Sequence, residues 1–338
     1  MSHRHGILEA LGADGAVVSG QELAARLGIS RAAVWKHVEA LAVAGYQIER
    51  VRSRGYRLVS SPDQLGAEAL TGLLAGRRFG GGVVVLDVTR STNSDALALG
   101  REGAPEGSVV LAEAQTGGRG RLGRQWESAR GVNLYMSLLL RPAIVPAAAP
   151  QLSLVAGVAV AETLVAEGLP CRIKWPNDVV VGGEHGGGVP LRKIAGILTE
   201  IEAEADRVSF VVVGIGVNVN STAENFSPAL AGRATSFLME TGRRLDRTAL
   251  AARLLSRMEG AYGAFLTHGF SALAPRWRAL SVLEGRTVEV SSVGHPGDDG
   301  DRGTCVGIDA DGALLLETAP GQVRRVIAGD VTVRGGYD

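Results

Sequence analysis

The chain has 338 residues, 46% hydrophobic and 21% charged, with lysine plus arginine equal to aspartate plus glutamate at 35 each. That balance excludes a disordered or fibrous protein and leaves room for two or three folded domains. Two cysteines, Cys171 and Cys305, outside any C-x-x-C pair, argue against a disulfide framework and structural zinc; with no apolar signal segment and no run read as a membrane span, the expected location is cytoplasmic.

The charge is uneven. Residues 1–60 carry eight basic and five acidic side chains, a net of +3 that leaves −3 for the remainder, which points to a nucleic-acid partner for that segment alone. Residues 3–11 form a first predicted helix. Ser19 with Glu22 three residues on is a capping box before a second helix over 21–27. Gly28-Ile29 makes a tight turn, Ser30 caps again, and a third helix runs over 31–44 to Gly45. There Val34, Val38 and Leu41 share one face, leaving Arg31, Lys36 and His37 for other surfaces. Residues 48–51 and 56–59 alternate as two short strands about Ser53-Arg54-Gly55. Two helices joined by a glycine turn and followed by a hairpin describe a winged helix-turn-helix. Arg50, Arg52, Arg54 and Arg57 on the hairpin suit phosphate contacts. Candidate DNA-binding residues are Ser30, Arg31, Lys36, His37, Arg52 and Arg54; a protein-interaction module with a solvated basic hairpin is the competing reading.

Ser60-Ser61-Pro62-Asp63 reads as a linker and sets a first domain at 1–62. Beyond it the sequence predicts strands over 83–88, 109–114, 134–140, 172–175, 179–181, 194–201 and 208–219, and helices over 94–100, 151–167, 248–266 and 271–280. The helix over 151–167 is apolar on nearly every side and is expected to be buried. The mixture predicts an α+β domain over 63–281, a mixed sheet with helices on a face. From 282 to 338, five short runs separated by turns such as Asp311-Gly312 predict a small all-β barrel of SH3-like length.

Between the strands over 109–114 and 134–140 lies T-G-G-R-G-R-L-G-R-Q-W, residues 116–126. Its glycines free the backbone to approach a ligand, and Arg119, Arg121 and Arg124 present donor forks that match phosphate and carboxylate oxygens. The loop suits an anionic ligand. Gly118, Gly120 and Gly123 match the dinucleotide fingerprint G-x-G-x-x-G, yet a strand follows instead of the helix whose N-terminus would hold a pyrophosphate.

Three motifs together resemble the biotin–protein ligases, in the bifunctional bacterial form that also represses a biotin operon. They are Ser91-Thr92-Asn93, the run from Gly118 to Trp126, and Lys174-Trp175-Pro176-Asn177-Asp178. Arg192-Lys193-Ile194-Ala195-Gly196-Ile197-Leu198 and Gly214-Ile215-Gly216-Val217-Asn218 extend the resemblance, which covers essentially the whole chain. It implies a central domain related to class II aminoacyl-tRNA synthetases and lipoate ligases, followed by an SH3-like β-barrel. It also implies a two-step reaction: the biotin carboxylate attacks the α-phosphate of ATP to give biotinyl-5′-AMP and pyrophosphate, then a lysine amine of the acceptor displaces AMP. The implied partners are the biotin carboxyl carrier protein of acetyl-CoA carboxylase, operator DNA, and a second copy of the chain, with biotinyl-5′-AMP as corepressor. Mg²⁺ would arrive with ATP, and no side chain is assigned to it as a metal ligand.

By the same resemblance Ser91, Thr92, Asn93, Gln115, Gly118, Arg119, Gly120, Arg121, Lys193 and Gly196 form the biotin site. Arg121, Arg124, Trp126, Asn177, Lys193 and Asn218 form the adenylate site, with Trp126 stacked on adenine. Hydroxyls and amides suit the donors and acceptor of a ureido ring. Lys193, Arg121 and Arg119 are the candidate catalytic residues, because an anionic carboxylate must approach an anionic phosphate and nearby positive charge lowers that barrier most. Trp175 beside Pro176 reads as packing, and Ser91-Thr92-Asn93 is also a good helix cap. The chain departs from the family pattern in the glycine-rich stretch 182–190, at Leu122, where a basic residue is usual, and at Phe237, where leucine is common. The rivals are a lipoate–protein ligase, whose R-R-x-x-G-G-G signature is absent, and a ligand-sensing repressor without ligase activity.

Overall fold

Short helices need caps, and the N-terminal segment supplies them. Ser19 Oγ accepts from Glu22 N at 3.1 Å at the start of the second helix, and Gly28, at φ 64°, ends it in the left-handed conformation that favours glycine. In the computed structural model the described residues are 3–12, 15–43, 46–60, 63–183, 190–291 and 301–333. The expected helix end at Ala44-Gly45, Ser61-Pro62 of the linker, positions 184–189 of the glycine-rich stretch, and Arg334, where the last predicted strand, 331–334, ends, lie outside them. The chain divides into two units, residues 1–63 and 64–338.

The first unit contains α1 (His3–Leu11), α2 (Gly20–Leu27), α3 (Arg31–Val43) and an antiparallel hairpin of β1 (Gln47–Val51) and β2 (Gly55–Ser60). Ile7, Leu11, Leu23, Val34, Val38 and Leu41 close its core. The helix-turn-helix and the hairpin after it are as the capping and alternation predict.

The second unit begins with α4 (Ala67–Leu73), which the sequence reading did not include. Seven residues are too few for a 3.6-residue period to show. Its central sheet has seven strands: β3 (Val83–Leu86), β4 (Val109–Ala112), β5 (Leu134–Leu140), β6 (Arg172–Lys174), β7 (Asp178–Val181), β8 (Arg192–Ala203) and β9 (Val208–Val217). The order is β3-β4-β5-β9-β8-β7-β6; β3 and β4 run parallel and every other pair antiparallel, so the sheet is mixed. Its helices lie on both faces, not on one. Val110, Leu139, Phe210 and Val212 point to the face carrying Ala96 of α5 (Thr92–Arg101). The alternate residues Val109, Leu111, Leu138, Leu140, Val211 and Val213 join the larger core with α6 (Gln151–Ala166) and α8 (Arg247–His268). β5 is therefore buried along all seven residues.

Residues Pro146–Ala166 are long and apolar enough to cross a membrane, contrary to the expectation that no run approaches that length; 67% of the apolar window is buried, as in the core helix of a folded body. Ser236 caps a further short helix, α7 (Phe237–Thr241), through Met239 N. The helix expected over 271–280 is shorter: a 3₁₀ turn at Phe270–Ala272 precedes α9 (Ala274–Leu280), with Pro275 in its first turn.

The C-terminal strands β10 (Thr287–Ser291), β11 (Asp301–Ile308), β12 (Leu314–Ala319), β13 (Gln322–Val326) and β14 (Asp330–Val333) form an antiparallel sheet in the order β13-β12-β11-β10-β14. It is tied to the central sheet by Trp175 Nε1, which donates to Gly312 O at 3.1 Å, and by Val282 N, which donates to Ile173 O at 3.0 Å. Both cysteines are buried, and burial pushes the Cys171 thiol up to about 12 and the Cys305 thiol to about 11.

Arg247, the first residue of α8, is fully buried. Its guanidinium pairs with Glu113 at 2.8 Å and donates to Asn133 O at 3.0 Å, while Glu113 Oε1 accepts from Leu65 N at 2.7 Å. Arg247→Leu would leave the Glu113 carboxylate inside without its cation, so it is expected to cost about 3–5 kcal/mol. Urea unfolding of the two proteins measures this, and a loss below about 1 kcal/mol, the scale of a surface pair, would contradict it.

Candidate functional site

A cavity of about 590 Å³ opens above the glycine-rich centre of the central sheet. Gly196 of β8 pairs with Gly216 of β9, and a Cβ on either would come within 2.9 or 2.6 Å of the Trp126 ring. The indole therefore lies on a floor without side chains, and the Lys193 ammonium stands 5.4 Å from its ring centroid. Trp126 Nε1 is buried and has no hydrogen-bond partner among the described residues. An unpartnered buried donor in a cavity wall is a place for a ligand acceptor.

The loop over 116–126 is a tight hairpin. Arg119 bridges Gln125, Gly120 N donates to Arg124 O at 2.7 Å, and Trp126 N donates to Gly118 O at 2.9 Å. Leu122 at φ 57° and Gly123 at φ 73° form its left-handed tip. Gly120, Arg119, Arg121 and Arg124 line the cavity. Gly118 is not among the lining residues; its α-carbon backs onto Trp126 O, 2.6 Å from where a Cβ would stand, so it serves packing. Each arginine meets an acceptor: Arg119 pairs with Glu200 at 3.1 Å, Arg121 donates to Asn177 Oδ1 at 3.3 Å and Gly329 O at 3.3 Å, and Arg124 pairs with Asp330. Asp330 Oδ1 also lies 3.5 Å from Arg121. Asp330, the first residue of β14, thus brings the C-terminal sheet into the cavity wall. The sequence reading assigned it no role; an aspartate at a strand start carries no local signal of a partner some two hundred residues away.

Ser91, Thr92, Asn93 and Gln115 also line the cavity. α5 starts at Thr92, two residues before the predicted start; Ser91 occupies the cap position but its side chain caps no N–H. Gln115 Oε1 accepts from Thr92 N at 2.9 Å, and its Nε2 donates to Ser128 Oγ at 3.0 Å. Asn93 Nδ2 donates to Glu200 Oε2 at 2.7 Å and Leu198 O at 3.2 Å, while its Oδ1 accepts from Ser137 Oγ at 2.6 Å. A Cβ at Gly214 would come within 2.1 Å of Asn93 Oδ1. This wall is rigidly built before any ligand enters.

Lys193 and Gly196 of β8, Asn177 of the β6–β7 turn and Asn218 after β9 complete the sequence-predicted set. Lys193 Nζ is 2.6 Å from Asp178 Oδ1, and its backbone is pinned by Arg233 O and Thr235 N at 2.8 and 2.9 Å. Asn177 Nδ2 donates to Ile197 O at 2.9 Å and Asn218 Nδ2 to Thr235 O at 3.0 Å, so both amides already brace the wall. Trp175 is buried, with its Nε1 donating to Gly312 O, and it also borders the cavity. Thirteen of the fourteen residues expected at the biotin and adenylate sites meet at this cavity, Gly118 being the exception.

In the first unit, Ser30 Oγ accepts from Ala33 N at 3.1 Å as the cap of α3. Arg31, Lys36, Arg52 and Arg54 are exposed, whereas His37 is half-buried with its ring edge-on to His3 at 5.6 Å.

Residues 85–218 match the model of the biotin/lipoate A/B protein ligase family, residues 3–57 an HTH domain, and residues 285–334 the biotin protein ligase C terminal domain. The chain is similar to the bifunctional ligase/repressor BirA of Bacillus spizizenii, with 38% identity over 93% of each chain. The protein of that name from Escherichia coli is 37% identical over 97% of this chain and 96% of its own. Among solved structures, the biotin protein ligase from Aquifex aeolicus in complex with biotin and ATP superposes with a TM-score of 0.62 at 28% identity, covering 75% of this chain and 99% of that one.

Lys174 also lines the cavity although its chemistry was unassigned from sequence, and it is 7% exposed. Burial lowers its pKa from the ordinary 10.5, with Asp178 opposing and Lys193 reinforcing the shift. A folded value below the unfolded one means that the unfolded chain holds this proton more tightly. The cost to stability is complete below the folded value and fades as pH rises toward 10.5. Lys174→Met is expected to unfold at higher denaturant than wild type at neutral pH, with the gap closing toward that upper limit; a gap independent of pH would contradict the assignment.

Proposed function

We infer, from the premise that this chain belongs to the biotin/lipoate A/B protein ligase family in its bifunctional ligase/repressor branch, that the cavity activates biotin with ATP and passes it to a lysine of a carrier protein. The chain is an ATP-dependent biotin–protein ligase and a transcriptional repressor with a DNA-binding helix-turn-helix. The observation that carries the ligase reading is the convergence of Lys193, Lys174 and three loop arginines on one cavity over a glycine floor.

In the first step a biotin carboxylate oxygen bonds to the α-phosphorus of ATP and the bond to pyrophosphate breaks. Lys193 bridges carboxylate and α-phosphate, while Arg121 and Arg119 offset the charge that gathers as two anions meet. Ser91, Thr92, Asn93 and Gln115 form the biotin wall with Gly120 and Gly196, while Gly118 packs the loop behind it. Arg124, Trp126, Asn177 and Asn218 form the adenylate side. Trp126 Nε1, buried without a partner, supports a ligand acceptor beside the indole. In the second step the acceptor amine attacks the acyl carbon and forms the C–N bond, the acyl C–O bond breaks with its electron pair going to the AMP phosphate, and the amine proton is lost; Asp178, beside Lys193, is placed to take it.

Mg²⁺ bound by ATP phosphates needs only one or two protein carboxylates, which Asp178 and Asp330 could provide; among the described residues no cluster of three metal-binding side chains exists. The ion would supply charge neutralisation on the phosphates. The remaining elements of the proposal are the biotin carboxyl carrier protein of acetyl-CoA carboxylase as acceptor, operator DNA, cytoplasmic residence, and a homodimer promoted by biotinyl-5′-AMP as corepressor. A three-domain division at 62 and 281, kinship of the central domain with class II aminoacyl-tRNA synthetases, and an SH3-like C-terminal fold belong to the same reading.

The test is incubation with ATP, Mg²⁺, a lysine-bearing carrier domain and either biotin or lipoate. A mass gain on the carrier with biotin alone is expected, and a gain with lipoate alone would overturn the substrate. Lys193→Ala is expected to slow pyrophosphate release by about 10²–10³ with the fold intact; near-normal release would remove Lys193 from the mechanism. Arg121→Gly frees the loop from Asn177, Gly329 and Asp330 and is expected to leak activated biotin, labelling lysines on unrelated proteins. Labelling confined to the carrier would show that the loop is no clamp.

A further inference from the structure

We propose that Trp35 reads a thymine in the DNA bound by the helix-turn-helix, through contact of its indole with the thymine 5-methyl group. This rests on the repressor reading and deepens it. α3 is the second helix of the pair, entered through the Gly28 turn, and residues near the start of such a helix meet base edges in the major groove. Val34, Val38 and Leu41 face the core, whereas Arg31, Trp35 and Glu39 recur every four residues as an exposed stripe.

Trp35 is 49% exposed and lies outside the head's apolar cluster. Packing therefore gives no reason for a large aromatic there. The Arg50 guanidinium of β1 stands 5.7 Å from its ring centroid and donates to Glu39 at 2.5 Å. The Arg50 guanidinium, fixed by Glu39, thus lies against the indole where helix and hairpin meet. These contacts are also of a kind that a backbone phosphate can replace, since it offers the guanidinium a paired acceptor of its own. Lys36, Arg52 and Arg54 are exposed nearby in sequence and suit phosphates, which set position but carry no sequence information. Among the base pairs, those with thymine present a methyl group in the major groove, and an apolar side chain detects it. The stripe thus places an apolar reader among charges that grip the backbone.

The probe is a random-sequence duplex library, selected with the full chain in the presence of biotin and ATP. Wild type is expected to enrich a motif with thymine at one fixed position in each half-site. Exchange of that thymine for deoxyuridine, which removes the methyl alone, is expected to weaken wild-type binding about fourfold. Trp35→Ala should bind both duplexes equally with an unchanged salt dependence, and Trp35→Phe should keep most of the preference. A Trp35→Ala protein that still discriminates thymine from deoxyuridine as wild type does overturns the role of Trp35 while leaving DNA binding in place. A wild-type protein that enriches no sequence overturns the repressor reading itself, and Trp35's role with it.

Discussion

The absence of side chains at Gly196, Gly214 and Gly216 is the constraint on which the site depends. These residues lie on the two longest strands of the central sheet, where β-branched residues would pack best. A methyl group at Gly214 would collide with Asn93, and one at Gly196 or Gly216 with Trp126. The sheet gives up packing and backbone rigidity at its centre so that an indole and an amide can lie against bare peptide. The sheet is made stiff elsewhere: β5 is buried along its length, and α5 and α6 clamp the two faces.

Charge around the cavity follows a matching rule. Glu200 stands beside Arg119, Asp330 beside Arg121 and Arg124, and Asp178 beside Lys193. Partly buried cations gathered this closely would repel one another, and the carboxylates hold them in place without neutralising their capacity to donate elsewhere. A polyphosphate can take up the same donors, so most of the reorganisation falls on side-chain exchange and little on the backbone. The C-terminal sheet shares in this arrangement through Asp330, and its link to the central sheet through Trp175 and Ile173 holds that carboxylate near the loop.

What the sequence reveals depends on how local the cause is. The head is legible because caps, a glycine turn and an alternating hairpin each lie within a few residues. The arginine loop and the Lys193 strand are legible as motifs, and these motifs contain most of the residues that line the cavity. Asp330 escapes because its importance comes from Arg121 and Arg124, far away in the chain. Lys174 sits inside a recognised motif, yet its burial is a tertiary property. Asn93 and Gln115 read as ligand-facing amides and do line the cavity, but the partners that orient them, Glu200, Leu198, Thr92 and Ser128, are tertiary neighbours that no local pattern names. α4 is too short to show a period, and the second helical face of the sheet is invisible to a pattern that gives apolar positions without saying which layer covers them.

The placement of the two thiols bears on chemical safety. An acyl adenylate is an electrophile, and a thiolate within reach would intercept it and trap the enzyme as a thioester. Only the thiolate form is a competent nucleophile. Cys171 and Cys305 are absent from the cavity lining, and burial keeps both protonated well above neutral pH. A protein that makes an acylating agent thus carries its sulfur where that agent cannot find it, and a cysteine introduced at the cavity rim would be acylated in place of the carrier lysine.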